Sequence, residues 1–63
     1  MTGIVKFFKA DKGYGFIIND DDKKEYFVHF KHCVDRIQGG YRVNFDIKDG
    51  KKGPMATNVT IMG

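Results

Sequence analysis

The sequence predicts an all-β domain, a five-stranded antiparallel barrel. Three observations lead there. β-Branched and aromatic residues fall in five short runs, and none of them has helical periodicity. Polar or glycine-bearing breaks separate the runs at 9–13, 19–24, 31–40 and 49–54. The chain has only 63 residues, and an open sheet of that size would leave exposed edges that closure into a barrel removes.

Residues 2–8 form the first expected strand, and the polar stretch ending in Gly13 turns the chain. Residues 14–18 form the second, followed by a hairpin loop containing Asp20, Asp21 and Asp22. Residues 25–30 form the third. Residues 31–40 are the longest irregular piece, with room for one short helical turn, and Val34 and Ile37 are expected to tuck onto the core. Residues 41–48 alternate cleanly, with Val43, Phe45 and Ile47 facing inward. Asp49-Gly50 and Gly53-Pro54 carry the strongest turn chemistry. The last strand covers 55–62, with Met55, Thr57, Val59 and Ile61 on one side. Five short strands are accommodated most economically by a partly open barrel of the OB type.

Residues 1–63 make a single domain. A domain this small buries only ~60% of the surface its unfolded chain exposes, so its stability is expected to be modest. Cys33 is the only cysteine, so no disulfide helps. A lone thiol fits a reducing compartment, and a cytoplasmic location is expected. No run approaches the roughly 20 apolar residues of a membrane span. The first residues lack the layout of a signal peptide, so the mature chain is expected to start at or near Met1. The formal net charge of +3 leans mildly toward polyanionic partners, and Lys6, Lys9 and Lys12 cluster around the first aromatic region.

The functional signal lies in Lys12-Gly13-Tyr14-Gly15-Phe16 and Tyr26-Phe27-Val28-His29-Phe30. Strand alternation puts Tyr14 and Phe16 on one face of the second strand, and Phe27 and His29 on one face of the third. Pairing the two strands joins the four rings into a platform, and the glycines beside them are expected to keep the surrounding surface open. Unpaired bases stack on such a platform while basic groups hold the phosphates. Phe45 alternates with Val43 and Ile47 and is assigned to the core, and His32 to the solvated loop. The three aspartates lack the alternating ligands, glycine and distant glutamate of a calcium loop. His29, His32 and Cys33 fall one ligand short of a structural zinc site. Cys33 beside His32 has no orienting third group for nucleophilic catalysis. The expectation is therefore a non-enzymatic binding protein without metal or cofactor.

Gly3-Ile4-Val5-Lys6-Phe7-Phe8, Lys12-Gly13-Tyr14-Gly15-Phe16-Ile17, Phe27-Val28-His29-Phe30 and Gly53 through Val59 resemble the bacterial cold-shock proteins in order and spacing over nearly the whole chain. The resemblance implies the OB barrel, binding of single-stranded RNA and DNA with low selectivity and a pyrimidine preference, and a nucleic-acid chaperone that affects transcription and translation. Carried over by position, it implies that bases stack on Phe7, Tyr14, Phe16, Phe27, His29 and Phe30. Phe8 would lie beside the platform, and Lys6, Lys12 and Lys52 would touch the strand from its rim. Alternation supports Tyr14, Phe16, Phe27 and His29 independently. It does not support Phe30, which falls on the Val28 side, and it conflicts with Phe7, which shares parity with Val5. A bulge or strong coiling is needed to reconcile them.

The chain departs from the family pattern in three places. Phe7 stands where tryptophan is usual, which implies weaker stacking. The loop at 31–40 is short and lacks an aromatic, which implies a shorter footprint. Lys9 replaces a small polar residue, exchanging a base contact for a phosphate contact. An RRM also stacks bases on a sheet, but it needs two helices and the opposite motif order. The competing class is a protein-binding module that uses the same exposed rings. A monomer is expected, with a strand-exchanged homodimer as the alternative.

Overall fold

The computed structural model describes residues 1–51 and 53–62. Its strands are β1 (Thr2–Lys9), β2 (Tyr14–Asn19), β3 (Glu25–His29), β4 (Arg42–Gly50) and β5 (Gly53–Ile61), with a short 3-10 helix at Phe30–His32. They close into a barrel in the order β1-β2-β3-β5-β4, an OB-type barrel. Every neighbouring pair is antiparallel except β3 and β5, which run parallel through Phe27 opposite Met55 and Val28 opposite Ala56. The exception is forced by arithmetic. Directions cannot alternate all the way round a ring with an odd number of strands, so at least one pair must be parallel.

The core is made by the inward positions of each strand: Val5, Ile17, Val28, Val43, Phe45, Ala56 and Val59, plugged by Ile37 from the β3–β4 connection. Val34 does not join it and is 70% exposed. The expectation that Val34 and Ile37 tuck in together assumed helical spacing, but the 3-10 helix ends at His32. The last strand also departs from simple alternation. Ala56, Thr57 and Val59 are buried, whereas Met55 is only partly covered and Ile61 is exposed. The register between β4 and β5 slips between Asn44 and Asp46, beside Asn58, whose φ of 51° is left-handed. Asparagine tolerates that conformation, and the irregularity resets which side chains face inward.

A second irregularity shapes the face of interest. Val5 pairs with Ile17, but Phe7 pairs with Phe16, leaving Lys6 as the extra residue of a β-bulge.

The loop after β2 is tied down by Asp20. Its carboxylate accepts hydrogen bonds from the Thr2 hydroxyl (2.7 Å) and the Arg42 guanidinium (2.6 Å), linking β1, β4 and the loop. These two donors, the Thr2 hydroxyl first, hold the Asp20 carboxyl below its ordinary value.

Candidate nucleic-acid interface

The outer face of β1, β2 and β3 carries the rings in two rows. Phe7, Phe16 and Phe27 lie opposite one another across the three strands, and Lys9, Tyr14 and His29 form the next row. The Phe7 and Phe16 centroids are 5.5 Å apart with the rings tilted, and Phe16 and Phe27 are 5.8 Å apart edge-to-face. Tyr14 stacks diagonally on Phe27 at 5.9 Å and 21° between planes. Such spacings lie in the attractive range for aromatic pairs, so the rings hold one another in place. All five outward ring side chains, Phe7, Tyr14, Phe16, Phe27 and His29, are half-buried. They keep surface free for a flat partner.

The bulge at Lys6 answers the parity conflict for Phe7. One extra residue carries Phe7 out to the platform although Val5 stays inside. Phe8 is then turned the other way. It pairs with buried Gly15 and packs against the core, beside the platform rather than on it. Phe30 escapes alternation differently. β3 ends at His29, and the 3-10 helix swings Phe30 beside it with centroids 4.6 Å apart. Phe30 is 56% exposed.

The glycines of the motif do not leave open surface beside the rings. Gly13 and Gly15 are both buried. A Cβ on Gly15 would collide with the backbone of Phe7 and Phe8, and one on Gly13 would stand 2.7 Å from the Phe30 ring. Gly13 also has φ +75°, a conformation that side chains disfavour. The glycines let two phenylalanines come close.

The basic rim is uneven. Lys6 lies 3.1 Å from the Glu25 carboxylate, a surface ion pair worth ~0–1 kcal/mol that a phosphate can displace. Lys12 is exposed in the turn before Tyr14, and Lys9 is exposed beside Tyr14. Lys52 lies outside the described residues. Its neighbour Lys51 borders a hollow of about 510 Å³ with Phe16, Phe27, His29, Pro54 and Met55. Met55 and Lys51 are the residues that sequence reasoning missed. Alternation put Met55 on one side of the last strand with Thr57, Val59 and Ile61, and only the asparagine at position 58 marks the irregularity that separates it from buried Val59.

Among the described residues no cluster of three or more histidine, cysteine or carboxylate side chains could hold a metal ion. The face offers stacking, apolar contact and positive charge.

Comparison with known proteins gives the same picture. A profile of the 'Cold-shock' DNA-binding domain matches residues 1–62. The chain is 46% identical to the cold shock-like protein CspA of Vibrio cholerae, covering 98% of this chain and 94% of that protein. It is 44% identical to the cold shock-like protein CspG of Escherichia coli over the same shares. It is 43% identical to a cold shock-like protein of Aquifex aeolicus, covering 97% of this chain and 93% of the relative.

Proposed function

Because the chain belongs to the cold-shock domain family, whose members bind nucleic acid, we propose that it captures single-stranded RNA and DNA on the platform of Phe7, Tyr14, Phe16, Phe27, His29 and Phe30. Selectivity among bases is low, with pyrimidine-rich strands favoured. Lys6, Lys9, Lys12 and Lys51 hold phosphates at the rim, and Lys52 takes the same role that the family resemblance gives its position. The observation that carries the reading is the continuous row of Phe7, Phe16 and Phe27 on one outer face.

The mechanism is passive. Each base stacked on an aromatic contributes ~1–3 kcal/mol, and only an unpaired base presents its face. Binding therefore draws a paired–unpaired equilibrium toward the open strand by mass action, without a catalytic step. A protein working this way keeps RNA unpaired and thereby influences transcription and translation. A handful of rim lysines makes the salt dependence moderate, and stacking carries the rest of the affinity. The closed strand order leaves no free sheet edge and supports a monomer made of one domain. The single cysteine supports a cytoplasmic location.

The test is anisotropy of a labelled pyrimidine-rich DNA strand, alone and annealed to its complement, at two salt concentrations. Single-strand binding that survives moderate salt, with little duplex binding, is expected. Equal binding to both forms that vanishes with salt would reduce the face to a nonspecific basic surface. Binding to neither would turn the rings over to a protein partner.

A further inference from the structure

The turn that carries Phe30 is bracketed by His29. The chain enters it with His29 extended at φ -108° and ψ 148°, the conformation of a cap. The His29 Nδ1 accepts a hydrogen bond from the Lys31 amide at 3.2 Å. Its carbonyl oxygen accepts from the Cys33 thiol at 3.6 Å, and the Cys33 amide closes the turn on the Phe30 carbonyl at 3.1 Å. Phe30 is 56% exposed, so this turn and the contact with Gly13 carry much of its placement.

The direction of the Lys31 bond fixes the state of the imidazole. A backbone amide can only donate, so Nδ1 must present its lone pair, and the neutral ring carries its proton on Nε2. Protonating Nδ1 would set one N–H against another and break the cap. The titratable and charged groups around His29 come from every neighbouring element. Tyr14 lies opposite on β2, with Lys9 beyond it on β1. Lys31 and His32 belong to the turn itself, and Lys51 borders the same hollow as His29. Asp11 and Lys12 stand in the turn before Tyr14, beside the Gly13 on which Phe30 packs.

Resting on the strand-capture reading, we infer that His29 is a positioning residue for Phe30 as well as a stacking ring, and that the cap at Nδ1 makes the contribution of Phe30 depend on pH. With the imidazole neutral, the turn is closed and Phe30 stands beside it as part of the platform. With the imidazole protonated, the turn loosens and Phe30 is lost to the strand. The new charge also attracts phosphate, so wild-type affinity by itself mixes two opposite effects. The penalty for removing Phe30 isolates one of them, because the charge is common to both proteins compared.

Anisotropy with a labelled pyrimidine-rich strand gives that penalty, for wild type against Phe30→Ala, at about pH 8 and about pH 5, either side of the range in which histidines change charge. The loss should be about tenfold at the higher pH and several-fold smaller at the lower. An equal loss at both would overturn the inference. His29→Asn keeps an acceptor for the Lys31 amide but does not titrate. In that background binding is weaker for want of the ring, yet the Phe30→Ala loss should be the same at both pH values. A loss that still varied with pH there would pass the effect to His32 and overturn the inference. His29→Phe keeps a ring without an acceptor, and the loss should be small at both. NMR of the free protein reads the cap without any strand. The imidazole nitrogens should report the Nε2–H tautomer at the higher pH, and exchange of the Lys31 amide, corrected for its intrinsic rate, should quicken at the lower. An Nδ1–H tautomer would overturn the inference even if the strand binds as proposed. If the cap titrates as described but Phe30→Ala costs nothing at either pH, the place of Phe30 in strand capture falls, and the inference with it.

Discussion

Phe30 sits where Gly13 has no side chain: a Cβ at Gly13 would stand 2.7 Å from its ring. The Phe30 amide also donates to the Gly13 carbonyl at 2.9 Å, so ring and backbone are held by the same residue. Gly13→Ala should displace Phe30 and weaken strand binding several-fold. It should also cost ~1–3 kcal/mol of stability, because alanine must adopt the left-handed φ. The double variant with Phe30→Ala should bind no worse than Phe30→Ala alone, as a double-mutant cycle would register. Additive losses would separate the two residues.

Phe16 touches both Phe7 and Phe27 and occupies the middle of the row. Phe16→Ala is expected to reduce single-strand affinity by ~1–3 kcal/mol. Because Phe16 lies outside the buried core, its thermal midpoint should fall less than that of a core variant such as Val28→Ala. Unchanged affinity would show that the rings are not the binding surface.

Phe7→Trp enlarges the ring at the end of that row. Affinity for a pyrimidine-rich strand should rise several-fold through added stacking area, with the salt dependence unaltered. A titration at two salt concentrations measures both quantities. A gain that disappears in high salt would point to altered charge contacts.

Lys12→Gln removes one exposed cation from the rim. Binding should weaken alike for all sequences, and the slope of log affinity against log salt should become shallower by ~0.7, the single-strand value for one phosphate contact. A loss confined to one base sequence would mean that Lys12 reads a base edge.

Asp20 couples the fold to pH. Its carboxyl is held below the ordinary 3.8 by the Thr2 hydroxyl and then by Arg42. The carboxylate therefore adds stability at pH values above that ordinary value. The contribution is lost as pH falls through the lower folded-state value. Asp20→Asn should lower the thermal midpoint at neutral pH, with the gap to wild type closing in acid below about pH 4. A gap that stays constant with pH would show that the carboxylate's charge contributes nothing.

The fold was legible wherever strict alternation survives folding. Val43 and Phe45 face inward, and Tyr14 and Phe16 outward, as the pattern of two requires. The pattern failed at the irregularities. The extra residue at Lys6 has no local marker, so the alternation pattern alone did not part Phe7 from Val5; only the family resemblance of the first strand called for a bulge there. At Asn58 a residue that tolerates positive φ was visible in the sequence, but one asparagine in a strand is a weak signal, and alternation grouped Met55 on one side with Val59. Val34 and Ile37 have helical spacing, but the chain between them is irregular, so only Ile37 reaches the core. Among the site residues, the rings of β2 and β3 follow from alternation. Phe30 depends on where β3 stops, which side-chain pattern does not encode.

The bulge at Lys6 also determines which changes of length the first strand can absorb. Val5 and Phe7 lie opposite Ile17 and Phe16, which are themselves consecutive. Deleting Lys6 therefore leaves every neighbour facing as before, and what disappears is the bend. That bend lies between the two seams of the strand, pairing with β4 through Thr2, Gly3 and Ile4 and with the far part of β2 through Phe7, Phe8 and Lys9. A deletion elsewhere in the strand keeps the bend and inverts the side chains on one side of the gap. In a diverging lineage, single-residue gaps should thus be tolerated at this slot at the expense of curvature and purged from the rest of the strand.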